Sequence, residues 1–332
     1  MNPYPVTFEP QFKERVWGGC RLSELFGKSL PGTNPIGESW EITDRPEGVS
    51  VIRNGPWAGR TLRWLLEHHG AAVMGRPLSP GERFPWLIKI LDARDDLSLQ
   101  VHPPAHRAAA LCGEPKTEMW YFAAVDPGSR IYVGLKPGVT RGEFEQRVAD
   151  GSVADCFHVE TPSRGDAMFV PSGRVHALGG GSVVFEVQQN SDTTYRVFDW
   201  NRKGLDGRPR ELHLEPSLAS IDFDDVCPGL IRSEWTSEAG ALRRPLVRHD
   251  LFHIDEWRSE TAASIPEGRP PGSLGVLAVI HGGIRLPAAD DTLELGAGGF
   301  VLIPAAAAPL SLDVLPGTTW LQVTPSSGHR VS

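Results

Sequence analysis

Cysteine is scarce in this 332-residue chain: Cys20, Cys112, Cys156 and Cys227 lie far apart, with no CxxC pair. That excludes a zinc knuckle or a disulfide framework and leaves reduced thiols, as expected of a cytoplasmic protein. Basic residues are in deficit, 33 against 41 acidic ones, and the net charge of -8 argues against nucleic acid or an anionic membrane as partner. An anionic small molecule must then be held by a local positive pocket. No apolar run is long enough to cross a bilayer. The opening MNPYPVTFEPQFKERVWGG has no basic segment followed by an apolar core, so no secretory signal is expected there. A GxxxxGK[ST] loop is also missing, which leaves phosphate recognition to side chains.

Glycine and proline, by contrast, are plentiful (36 and 29), and they punctuate the chain into short apolar runs. FPWLIKIL (84–91), LSLQVH (97–102), EMWYFAAV (118–125), DAMFVP (166–171), SVVFEVQQ (182–189), LGVLAVIHGGIRL and GGFVLIP all read as strands. Helical spacing is confined to residues 58–70, 105–113 and 140–151. In the last of these Thr140 and Glu143 form a capping-box pattern, and in the first His68 and His69 fall near the expected end. The density of strands predicts an all-β antiparallel sandwich or barrel. GDAMFVPSGRVHAL (165–178) resembles GAGGFVLIPAAAAPLSL (296–312), and aligning Pro171 with Pro304 sets His176 opposite Pro309. Two related β units follow from that match: residues 1–235, chemically equipped, and residues 236–332, degenerate. ALGGGS reads as a tight hairpin.

Residues two apart in a strand share a face. Ser98, Gln100 and His102 therefore point one way, with Leu97, Leu99 and Val101 opposite, and Pro103 and Pro104 end the run. Lys116, Glu118 and Trp120 repeat the polar pattern, as do Val184, Glu186 and Gln188, while His176 opens a returning strand. Inward polar side chains in a β unit must be satisfied. Two histidines, a carboxylate and an amide oxygen suit a single divalent cation. The same residues equally suit a metal-free hydrogen-bond network, and spacing alone leaves both open. His106 lies beyond the bend in a short helix and reads as a surface residue.

Longer motifs add a resemblance. IGESWEIT, FPWLIKILDARDDLSLQVHP, KTEMWYF and PSGRVHALGGGSVVFEVQQNSDTTYRVFDWNR closely resemble the short bacterial form of the type I mannose-6-phosphate isomerases, within the cupin superfamily. The match is densest over residues 36–220 and weak after 230. The resemblance implies two cupin (jelly-roll) barrels with a few short helices, and one Zn2+ per chain held by Gln100, His102, Glu118 and His176. Other divalent metals remain compatible with that donor set. It implies a cytoplasmic enzyme, monomer or homodimer, that interconverts mannose 6-phosphate and fructose 6-phosphate and feeds mannose metabolism. Glu186 is then the expected base and Arg196 the expected oxyanion stabiliser. Lys116 contacts sugar oxygens or phosphate, or simply pairs with Glu118, and Arg202 and Ser98 are expected at the phosphate. The chain departs from the family after QVHP, where Pro104, Ala105 and His106 replace the usual acidic residues. The alternatives are another metal-dependent cupin enzyme or a non-catalytic sugar-phosphate-binding cupin. The latter is expected to lose a ligand or the base, yet every one of these residues is present.

Overall fold

The computed structural model describes residues 3–289 and 291–326. The chain is all-β with a few short helices, as its punctuated apolar runs predict. It begins with β1 (Gln11–Gly19), α1 (Arg21–Phe26), β2 (Ile36–Ile42) and a small ribbon, β3 (Asp44–Arg45) with β4 (Gly48–Val49). Next come α2 (Leu62–Met74), β5 (Trp86–Ala93), β6 (Leu99–Val101), α3 (Ala105–Ala108), β7 (Glu118–Val125), β8 (Ile131–Leu135) and α4 (Arg141–Asp150). Then follow β9 (Phe157–Glu160), β10 (Ala167–Val170), β11 (His176–Leu178), β12 (Ser182–Gln189), β13 (Tyr195–Phe198) and α5 (Leu214–Ser220). The remainder is strands: β14 (Thr236–Glu238), β15 (Ala241–His249), β16 (Phe252–Ser259), β17 (Ala263–Pro266) and β18 (Gly275–His281). The last are β19 (Gly283–Ala288), β20 (Asp291–Gly296), β21 (Phe300–Ile303), β22 (Ser311–Val314) and β23 (Thr318–Thr324).

Four main sheets form layers. The first has the order β1-β2-β5-β12-β7-β10 and faces the second, β13-β6-β11-β8-β9. Leu91, Trp120, Phe122 and Val184 pack between them against Ile131, Val133 and Leu178. The third sheet, β14-β15-β16-β23-β18-β21, faces the fourth, β17-β22-β19-β20, across Trp257, Leu277, Ile284, Leu312 and Trp320. The two six-stranded sheets meet back to back. Ile88, Ile90, Phe185 and Val187 of one pack with Ile254, Val276, Leu321 and Val323 of the other. Each such fully buried side chain contributes about 1.5–3 kcal/mol of transfer free energy. Strand alternation explains the layering: in β12 the odd residues face this seam and the even ones face the interior of the first pair.

The strand order of the third sheet repeats that of the first, edge to edge. β10 and β21 occupy the same edge, and each runs into a proline, Pro171 or Pro304. The loop that follows is longer in the second copy, so the strand corresponding to β11 opens at Ser311, not at Pro309 as the sequence alignment has it.

Three local expectations are corrected. The helix expected over 58–70 starts after Thr61, whose hydroxyl accepts from the Trp64 amide at 3.0 Å. It runs past Gly70 to Met74 with a break in helical geometry at His69, because Val73 and Met74 are buried. His68 and His69 stand at that break, where the first helical segment ends, and their rings stack on Trp64 and Trp57, each with centroids 4.8 Å apart. In α4 Thr140 caps the Glu143 amide, but the Glu143 carboxylate turns to Arg147 instead of closing the box. Gly179, Gly180 and Gly181 do not close a hairpin: β11 lies in the second sheet and β12 in the first, so the glycines carry the chain between layers. A Cβ on Gly179 would lie 1.9 Å from the Arg130 carbonyl oxygen. Gly179→Ala is expected to lower stability by about 1–3 kcal/mol through this overpacking, read as a drop in the denaturant midpoint.

Candidate active site

The interior between the first two sheets is apolar at one end and charged at the other. β6 is the central strand of its neighbourhood: Gln100 is registered with His176 of β11 on one side and with Arg196 of β13 on the other. Residues in register across adjacent strands project from the same face, which gathers Arg196, Gln100 and His176 in a row. In the facing sheet Glu186 is registered with Trp120 and with Lys89, and Lys89 with Trp40. Leu97 departs from the expected alternation. It precedes β6 and packs inward with Leu91 and Trp120, while Leu99 and Val101 face the outer layer covered by α4 and α5.

His102, Glu118 and His176 are buried, and one ligand-capable atom from each lies within 4.8 Å of the others. His102 Nε2 is 3.2 Å from Glu118 Oε1, and His176 Nε2 is 3.7 Å from Glu118 Oε2. Neither contact has hydrogen-bond geometry: both His102 ring nitrogens and Glu118 Oε2 are buried without a partner. Unpaired buried atoms of this kind cost about 1–3 kcal/mol each, and three together mark a place built for something that accepts lone pairs. Burial, with the charge of Lys116 next, holds His102 down to about 3, and burial likewise lowers His176. Both rings are neutral at physiological pH, the state in which imidazole binds a metal. His176 Nδ1 lies 2.9 Å from the Arg174 carbonyl, and a proton there leaves Nε2 as the inward lone pair. Burial works to raise Glu118, but the charge of Lys116 at 3.2 Å outweighs it and holds the carboxylate ionised. Gln100 presents its amide 3.3 Å from His176 Nε2. Rotation of that amide by half a turn sets its oxygen in the same place. These nitrogen and oxygen donors fit a divalent cation of the zinc type.

The cleft above this floor encloses about 600 Å³ and is lined by Ser98, Lys116, Glu118, Glu186 and Arg196, among others. That volume suits a small-molecule ligand. Glu186 accepts from Trp120 Nε1 at 2.9 Å and lies 3.2 Å from Lys89 Nζ. Burial and then the charge of Glu118 push its carboxyl up, with Lys89 opposing. Lys89 also approaches Glu38 at 3.7 Å, and Glu38 is held by Trp40 and Arg15. Burial opposes ionisation of Glu38, yet Lys89 and Arg15 bring it down to about 2.

Of the site residues expected from sequence, Gln100, His102, Glu118 and His176 converge on one floor, and Ser98, Lys116, Glu186 and Arg196 line the cleft. Arg202 is set apart. Its guanidinium binds Asp199 and the Asp96 carbonyl, and it is not part of the cleft wall. Sequence reasoning missed Lys89, Glu38 and Arg210. A lone lysine in the otherwise apolar run LIKIL, on the same parity as Leu91, was the available signal for Lys89.

Fold and site together define an all-β protein with a buried cluster of nitrogen and oxygen donors at the floor of an open cleft. A family model described as phosphomannose isomerase type I, catalytic domain, matches residues 6–123. The chain is 34% identical to the mannose-6-phosphate isomerase ManA of Bacillus subtilis over 94% of its own length and 97% of the relative's. It belongs to the type I mannose-6-phosphate isomerase family. A crystal structure of the mannose 6-phosphate isomerase from Bacillus subtilis, 32% identical, superposes with a TM-score of 0.87 over 97% of this chain and 99% of that one. A mannose 6-phosphate isomerase solved with zinc bound shares the fold at 18% identity, with a TM-score of 0.74 over 97% of this chain and 99% of that one.

Proposed function

We propose that this chain interconverts mannose 6-phosphate and fructose 6-phosphate by moving one proton between C1 and C2 of the sugar at the floor of the cleft. The observation that carries the reading is the convergence of His102, Glu118 and His176, with both His102 nitrogens and one Glu118 oxygen buried and unpartnered, beside a registered row that ends in Arg196. In this reading Gln100, His102, Glu118 and His176 hold one zinc ion per chain, which when bound supplies Lewis-acid charge toward the sugar oxygens.

The remaining work falls to the chain's own side chains. Glu186 accepts the proton from one carbon and returns it to the other, its carboxylate fixed by Trp120 and Lys89. Arg196 donates to the oxygens on which enediolate charge develops. Lys116, anchored on Glu118, orients the sugar oxygens. Ser98 faces the phosphate end of the cleft, and Arg202, expected there from sequence, stands behind the wall on Asp199. Supporting the architecture expected from sequence, the repeated strand order is consistent with two jelly-roll units, residues 1–235 carrying the chemistry and residues 236–332 packing behind them.

The test is a coupled assay of mannose 6-phosphate isomerisation before and after chelation, with zinc, manganese or cobalt restored. Activity is expected to vanish with the metal and return with zinc. Turnover that persists in the chelated, metal-free protein refutes the zinc role, and an absence of turnover in the zinc-loaded protein refutes the reaction.

A further inference from the structure

β13 ends at Phe198, and the next residue, Asp199, is a buried carboxylate that holds two guanidinium groups. Arg202 binds Asp199 Oδ1 through Nε at 3.0 Å and Nη2 at 2.9 Å, and its Nη1 donates to the Asp96 carbonyl. All three of its nitrogens are engaged. Arg210 binds the other side of the same carboxylate, with Nε 2.7 Å from Oδ2 and Nη2 on Oδ1. Its Nη1 makes no hydrogen bond among the described residues, and Arg210 lines the cleft where Arg202 does not. Arg196 spends Nη1 on the Glu211 carbonyl, while its Nε is buried and unpartnered.

Three guanidinium groups thus gather around a single carboxylate, leaving local positive charge in a chain whose net charge is -8. The segment that carries Arg210 has a fixed shape. Trp200 and Asn201 both adopt left-handed backbone angles (φ 55° and 53°), the Gly204 amide donates to the Arg208 carbonyl, and the His213 amide donates to the Arg196 carbonyl. That closure returns Arg210 to the cleft wall beside Arg196. A fork clamped on one edge by Asp199 presents its free edge with little entropy left to lose.

We infer that Arg210 binds the phosphate of the sugar phosphate, with Asp199 orienting the Arg210 fork and Arg202 acting as a strut behind it. The inference rests on the function proposed above and names the phosphate subsite of the same cleft.

Binding of inorganic phosphate to the zinc-loaded protein, measured by calorimetry, tests the subsite without turnover. Arg210→Gln is expected to weaken phosphate binding about tenfold to a hundredfold and to raise KM for mannose 6-phosphate in parallel, as befits loss of a charged hydrogen bond. kcat is expected to stay within a few-fold, and Arg210→Lys to recover part of the affinity as a point charge without the fork. Arg208→Gln, which removes an exposed charge from the same loop, is the control. Unchanged phosphate affinity in Arg210→Gln, an equal loss in Arg208→Gln, or a loss confined to Arg202→Gln each overturns the assignment. Because Arg202 and Arg210 share Asp199, equal losses of thermal stability in their two variants with unequal phosphate affinity separate binding from support. Wild-type protein that binds phosphate but does not isomerise would sink the proposed reaction and leave this subsite standing.

Discussion

His176→Ala is expected to remove bound zinc and isomerase activity together. The side chain is fully buried, its outer nitrogen is fixed by the Arg174 carbonyl, and its inner nitrogen faces Gln100 and Glu118. No other described histidine, cysteine or acidic residue stands with His102 and Glu118 to take its place. Four-ligand zinc sites bind with about 10–16 kcal/mol, so one ligand carries on the order of 3 kcal/mol, a hundredfold or more in affinity. Zinc content by elemental analysis after dialysis, and turnover at fixed low zinc, are the measurements. His106→Ala, on the short helix α3 outside the cluster, is expected to leave both untouched. Stoichiometric zinc and wild-type turnover in His176→Ala would remove the cluster from the chemistry. Circular dichroism and the melting temperature show whether the variant folds.

The floor of the site was legible in the sequence because a strand has period two. Gln100 and His102 share a parity, the prolines that follow mark the strand end, and Glu118 and His176 each stand first in a strand. Parity within one strand carries no information about which sheet faces which. The pairing of Lys89 with Glu186 across β5 and β12, and of Lys89 with Glu38 beyond, arises only when three strands are registered. The glycine run after β11 shows the same limit. A turn between strands of one sheet and a crossing between two sheets need the same residues, and only the packing of Gly179 against Arg130 separates them. Arg210 was invisible for a different reason: it lies in a loop with no periodicity, and its place depends on a carboxylate eleven residues earlier that Arg202 equally could have claimed alone. The stop read at Gly70 corresponds to the break in helical geometry at His69, and what the sequence left hidden is the second segment that continues to the buried Val73 and Met74.

Glu186→Gln is expected to keep zinc bound and to lower kcat by about a hundredfold to ten-thousandfold, the usual worth of a positioned base. The amide is nearly isosteric, and its oxygen can still accept from Trp120 Nε1, so the wall of the cleft keeps its shape. What the amide cannot do is take a proton from carbon. Run in D2O, the wild-type reaction is expected to place solvent deuterium on the sugar, and the variant's residual turnover is expected to lose that label together with its rate. A purely supporting role makes a different prediction, because Glu186 also neutralises the buried Lys89. In that case the damage would pass through Lys89, and Glu38→Gln, which strips the same lysine of its other carboxylate, would slow the reaction to a similar degree. As the base, Glu186 is instead expected to give the far larger loss of the two, with zinc content and substrate affinity changed little in either. Matching losses in the two variants, or deuterium incorporation per turnover unaltered in Glu186→Gln, would assign proton transfer to another group in the cleft.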